Sequence, residues 1–133
     1  MASFPATLAR SSVAHVAFAF LAMGAWAVFA NRVAGPGHAL LAGLVQGSLS
    51  GAITLGLKRF LETASARLDG LWAMAVPPAI SCAVILVLLV TAHRLAGTRN
   101  ILATISLPYA VSSTYAWIYT WMVARGRGKA VAA

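Results

Sequence analysis

Acidic side chains are nearly missing from this sequence. Of 133 residues only Glu62 and Asp69 are carboxylates, against ten Lys and Arg. No uncharged apolar stretch contains a carboxylate to act as general base, metal ligand or proton carrier, so enzymatic chemistry is not expected. Cysteine is almost absent too, and the single Cys82 excludes an internal disulfide and reads as a small packing residue. The three histidines, His15, His38 and His93, have no cysteine or carboxylate beside them, so neither a metal site nor a cofactor is expected.

Charge of either sign is scarce. Only 9% of residues are charged while 61% are hydrophobic, and the mean hydropathy is +0.86. Such values exclude a soluble globular domain and require an integral membrane protein.

What is present falls into four blocks. No Asp, Glu, Lys or Arg occurs in 11–31, 33–57, 70–93 or 100–124. A hydrocarbon core about 30 Å thick needs roughly 20 helical residues, and ionised groups are kept to the ends of a span. The sequence therefore predicts one all-α membrane domain over 1–133 with four transmembrane helices, near 12–31, 38–58, 71–93 and 100–123. The first block is longer than the apolar core of a cleavable signal, about 7–15 residues, and is read as a retained span.

Flanking cations set the expected orientation. Arg10, Lys58, Arg59, Arg67, Arg125, Arg127 and Lys129 fall on the side of both termini, and Arg32, Arg94 and Arg99 on the other. The bias places both termini in the cytoplasm. Although the net charge is +8, the cations sit at membrane edges and form no patch interleaved with stacking aromatics, so the expected partners are membrane lipids and not nucleic acid. Trp26, Trp72, Tyr115, Trp117, Tyr119 and Trp121 read as interfacial anchors. The Ala- and Arg-rich composition points to a bacterial cytoplasmic (inner) membrane.

The hexamer ANRVAG at 30–35 returns as AHRLAG at 92–97. An ungapped offset of 62 pairs Arg32 with Arg94, Gly35 with Gly97, Leu40 with Leu102 and Ser50 with Ser112, and puts two helical hairpins in register. The expectation is a parallel internal repeat, as in transporters whose halves are related by an axis along the membrane normal. The plainer reading is that any short hairpin linker needs small, turn-prone, positively flanked residues. GPGH at 35–38 and GTRN at 97–100 read as tight turns joining antiparallel neighbours. In the longer loop at 59–70, Leu61, Ala64, Leu68 and Trp72 recur at helical spacing, which suggests an amphipathic extension along the cytoplasmic interface.

Two strips mark the second helix. Gly43, Gly47 and Gly51 recur every four residues, a pattern that lets another backbone approach closely, whether in the same chain or in another copy. Gln46, Ser50, Thr54 and Lys58 form a polar strip beside them, which must face protein or water. It reads either as interhelical hydrogen bonding or as a path. On the fourth helix Ser106, Tyr109, Ser113 and Thr120 share one side, and Pro108 removes a backbone donor.

Two function classes follow. In the first, the protein is a small transporter, flippase or channel component for an anionic or lipid-like molecule. Its substrate-binding residues would be Arg32 and Arg94, gripping a phosphate or carboxylate, with Gln46, Ser50, Tyr109 and Ser113 along the path. Four spans are too few to enclose a wide pathway, so this class calls for a homo-oligomer, most simply a dimer. In the second, the protein is a non-catalytic packing or assembly subunit of a larger membrane complex, joined through the glycine strip. An open polar crevice would favour the first class, and glycines presented outward the second.

Overall fold

A computed structural model describes residues 4–132, with side chains described for 12–130. Arg10, counted above among the orienting cations, lies outside the described side chains. The described residues form four long helices and one short turn of 3₁₀ helix: α1 (Phe4–Ala30), the turn Arg32–Ala34, α2 (Pro36–Ala66), α3 (Gly70–Leu95) and α4 (Ile101–Ala132). All four are long and apolar enough to cross a membrane. The chain is a multi-pass membrane protein in its architecture.

The helices run up and down with their short connections at alternate ends. The start of α1, the α2–α3 turn and the end of α4 share one end, here the terminal end. The turns into α2 and α4 share the other, the hairpin end. Each hairpin-end turn depends on a glycine that takes a positive φ, Gly35 at 98° and Gly97 at 71°, where an L side chain would be strained. These two glycines are the pair matched by the 62-residue offset.

The longest packing interface joins α1 to α2, and the glycine strip explains it. A Cβ on Gly47 would stand 2.9 Å from the Phe20 carbonyl oxygen, and one on Gly43 would stand 3.0 Å from the Gly24 carbonyl oxygen and 2.5 Å from a Val28 methyl. Gly51 faces Val16 in the same way at 3.3 Å. Lipid tails are as apolar as leucine, so helices associate through close packing and hydrogen bonds, and only residues without side chains permit this approach. The partner of the strip is therefore α1 of the same chain. Helix α2 also contacts α3 and α4, and α4 closes the ring on α1, while no α1–α3 contact occurs among the described residues. Leu57, Leu61, Ile85, Leu89, Ile105 and Ala116 form the apolar centre between α2, α3 and α4.

The terminal end departs from the loop expected at 59–70. Helix α2 continues without a break to Ala66, and only 67–69 form the turn. Leu61, expected along the interface, is fully buried in the bundle, which is why the rod continues past the charges of Lys58 and Arg59. The prolines of α3 contribute. Pro77 cannot donate to the Ala73 carbonyl, and that freed acceptor takes a hydrogen bond from the Ser65 hydroxyl at 3.0 Å. Arg127 in turn donates to the Ser65 carbonyl and hydroxyl at 2.8 and 2.6 Å. One proline thus leads to a polar knot that ties α2, α3 and α4 together. Pro77 and Pro78 are both buried well inside α3 and not in its first turn.

Candidate functional site

Helix α2 places Gln46 and Ser50 one turn apart on its α3-facing side, and both are buried. The Gln46 carboxamide nitrogen donates to the Ser50 hydroxyl at 2.9 Å, which turns the carboxamide oxygen toward His93 of α3, 2.9 Å from its Nε2. That oxygen can only accept, so the neutral ring carries its proton on Nε2 and Nδ1 accepts from the Thr98 hydroxyl at 2.8 Å. Thr98 is brought back by the end of its helix. With Gly97 at positive φ, Thr98 N–H donates to the His93 carbonyl at 2.9 Å and Gly97 N–H to that of Arg94 at 3.2 Å, the double closure that ends many helices on a glycine. His93 is fully buried, and each of its ring nitrogens has a partner. Helical spacing could not reveal a pairing 47 residues apart; the offset of 62, which matches His93 with Asn31, was the available clue.

Asn31 plays the corresponding part across the bundle. Buried at the end of α1, it donates to Thr104 of α4 at 2.7 Å and accepts from the Asn100 backbone at 3.2 Å. Trp26 donates to the Ala103 carbonyl at 2.8 Å, so its indole bonds inside the protein instead of anchoring at an interface. Each hairpin therefore ends its first helix in a polar side chain that reaches the second helix of the other hairpin.

The remaining residues singled out above are dispersed. Arg32 and Arg94 are both exposed at the hairpin end. Arg32 folds back on its own helix, donating to the Phe29 carbonyl at 2.8 Å with its guanidinium 4.1 Å from the Phe29 ring centre. Tyr109 is half-buried against the apolar centre. Ser113 and Thr120 carry buried hydroxyls that find no hydrogen-bond partner among the described residues. Gln46 is met by His93 and not by these α4 hydroxyls. Thr54 lies exposed and donates to the Ser50 carbonyl at 2.7 Å, and Lys58 is exposed.

A different constellation lies on the outside near the terminal end. Ala110, Val111, Thr114, Tyr115, Ile118, Tyr119 and Met122 of α4 line an open groove of about 500 Å³. Tyr115 and Tyr119 stack with ring centres 5.2 Å apart and planes 12° from parallel. The Tyr119 hydroxyl donates to the Glu62 carboxylate. Glu62 falls within the loop expected at 59–70, and only the unbroken course of α2 carries it to α4. A second open apolar groove, of similar size, lies between α1 and Leu55 of α2.

Comparison with protein-family models, with characterised proteins and with solved structures returns no match for this chain.

Proposed function

We propose that this protein is a small transporter, flippase or channel component that guides an anionic or lipid-like molecule along the outside of its bundle. The observation that carries the lipid-like half of this reading is the α4 groove, an apolar trough beside the Tyr119–Glu62 hydrogen bond; an anionic head would meet Arg32 and Arg94 instead. The interior offers no comparable route, because the polar groups of Gln46 and His93 are already satisfied between helices. An amphiphile needs both surfaces together, a trough for its tail and polar partners for its head. The exposed Arg32 and Arg94 fit the same reading as contacts for headgroup phosphates at the opposite face.

Two copies facing each other across α4 would turn the open groove into an enclosed one, in keeping with a homodimer in a bacterial cytoplasmic membrane with both termini inside. The paired positions Asn31 with His93 and Gly35 with Gly97 support an origin by internal duplication. The reading as an assembly subunit draws support from a different observation. Only 11% of the residues in the α1 span are buried, the smallest share of the four, and Val13, Phe18, Leu21 and Phe29 are exposed, which leaves apolar surface open to a partner helix. The glycine strip no longer supports that reading, since α1 occupies it.

The test is reconstitution into liposomes carrying fluorescent phosphatidylglycerol, with dithionite quenching the outer leaflet. The expected result is faster loss of the protected half than in protein-free vesicles, slowed by Arg32→Ala with Arg94→Ala. Identical traces with and without protein would remove the transport reading.

A further inference from the structure

From the terminal-end constellation, and resting on the lipid-handling reading above, we infer that Glu62, Tyr119 and Tyr115 form a binding site for an ammonium group attached to an apolar tail. The first argument is depth. Ser65 is level with Ala73, near the start of α3, and Glu62 lies one helical turn closer to the membrane middle. On α4, Tyr119 precedes Arg125, the first charge after the span, by about 9 Å of helix rise. The carboxylate is thus held against the apolar part of α4. Lys58 and Arg59 lie closer still to the membrane middle on the same helix, so Glu62 sits at the interface, where the head of an amphiphile meets its tail.

The second argument is the carboxylate's unfilled capacity. The chain carries ten Lys and Arg, yet no ion pair with Glu62 occurs among the described residues, including Lys58 and Arg59 one turn earlier on the same helix. Its one partner is the Tyr119 hydroxyl, which leaves the second oxygen open at an exposed position. A carboxylate offers about four acceptor sites. Beside it stand two stacked phenol rings, whose faces attract cations and which are more exposed than a buried aromatic pair would be.

The third argument is length. From Ala110 to Tyr119, where the head would meet Glu62, the groove runs about 14 Å along α4, close to the roughly 15 Å of one hydrocarbon leaflet, so a tail can lie in it. Charge complementarity selects the occupant. In a chain of net charge +8, anionic heads find contacts at many positions, whereas a cationic head has only the carboxylates of Glu62 and Asp69, and of the two Glu62 is bonded to a residue that lines the groove.

Native mass spectrometry of the purified full chain, released from micelles containing equal phosphatidylethanolamine and phosphatidylglycerol of identical tails, tests the inference. The ammonium-bearing lipid is expected to be retained on the order of tenfold in preference. Glu62→Gln, at an exposed position where folding is not at risk, abolishes the preference. Tyr119→Phe keeps the ring and frees the carboxylate, so the preference persists, while Tyr119→Leu weakens it.

A parallel arm with dodecyltrimethylammonium against dodecanol separates the sources of the same chemistry. Retention of the simple cation identifies a general amphiphilic-cation site, and retention of the lipid alone an aminophospholipid site. Equal retention of both lipids and both simple amphiphiles by the unaltered protein, or a preference that survives Glu62→Gln, overturns the inference. Selective binding without lipid translocation in liposomes would leave this site standing and remove the transport reading, and the reverse result would do the opposite.

Discussion

Adding one methyl group at successive glycines of α2 should produce a graded response set by what each new Cβ meets. At Gly56 nothing lies within 4 Å, so Gly56→Ala gains the helix preference of alanine, about 0.8–1.0 kcal/mol, with no opposing strain. At Gly51 the contact is a Val16 methyl at 3.3 Å, which can yield by a few tenths of an ångström, and the two effects nearly cancel. At Gly47 the obstacle is backbone, the Phe20 carbonyl oxygen at 2.9 Å, with the Phe20 ring at 3.1 Å behind it. Overpacking of that kind costs about 1–3 kcal/mol, and subtracting the helix preference leaves a net loss of about 0–2 kcal/mol.

Gly43→Ala falls between the last two, because its closest neighbour is the Val28 methyl at 2.5 Å. Removing that methyl with Val28→Ala should recover part of the loss. Reversible unfolding in mixed micelles of rising dodecyl sulfate fraction reads the series. The order should be independent of protein concentration, since the facing helix belongs to the same chain. If Gly47→Ala proves as stable as Gly56→Ala, or if the losses scale with dilution, the strip does not pack on α1 as described.

Three other expectations can be checked with modest effort. Gln46→Met leaves His93 Nε2 without its acceptor and should lower stability in the same assay by about 1–3 kcal/mol, whereas adding His93→Phe should return part of it; strictly additive effects would mean that the two side chains do not interact. Ser65→Ala and Arg127→Ala each undo the knot at the terminal end, so either should speed tryptic cleavage after Arg125 and combining them should add little, and unchanged digestion would refute the knot. In a Cys82→Ala background, Gly128→Cys should be protected from an impermeant maleimide in intact cells and Arg99→Cys labelled. Labelling of the first and protection of the second would reverse the proposed orientation.

The four membrane helices were legible because hydrocarbon excludes charge, and a charge-free window leaves its trace in a single sequence. The end of α2 was not, since the same argument stops the helix at Lys58 and Arg59, while Leu57 and Leu61 find partners on α3 and α4 that extend it to Ala66. That extension is what carries Glu62 to Tyr119. The glycine spacing disclosed a close approach and could not name the approaching helix, because Val16, Phe20, Gly24 and Val28 have no signature of their own in an Ala-rich span. Gln46 was legible as a residue needing a partner. Its partner was not, because His93 and Thr98 are set by a turn geometry and by a contact between helices that periodicity does not encode.

The Gly24–Gly43 contact has a consequence for how the chain enters the membrane. It joins two consecutive helices across a five-residue turn, so α1 and α2 can close on each other as soon as the ribosome has released them. At that moment His93 has not yet entered the bilayer, and the Gln46 carboxamide has Ser50 as its nearby partner, both on one turn of α2. The first hairpin therefore waits in the bilayer with an acceptor unfilled, and the arrival of α3 satisfies it. Released chains truncated at residue 70 should be extracted by alkaline carbonate more readily than chains truncated after α3, and this difference should vanish when Gln46 is replaced by Met.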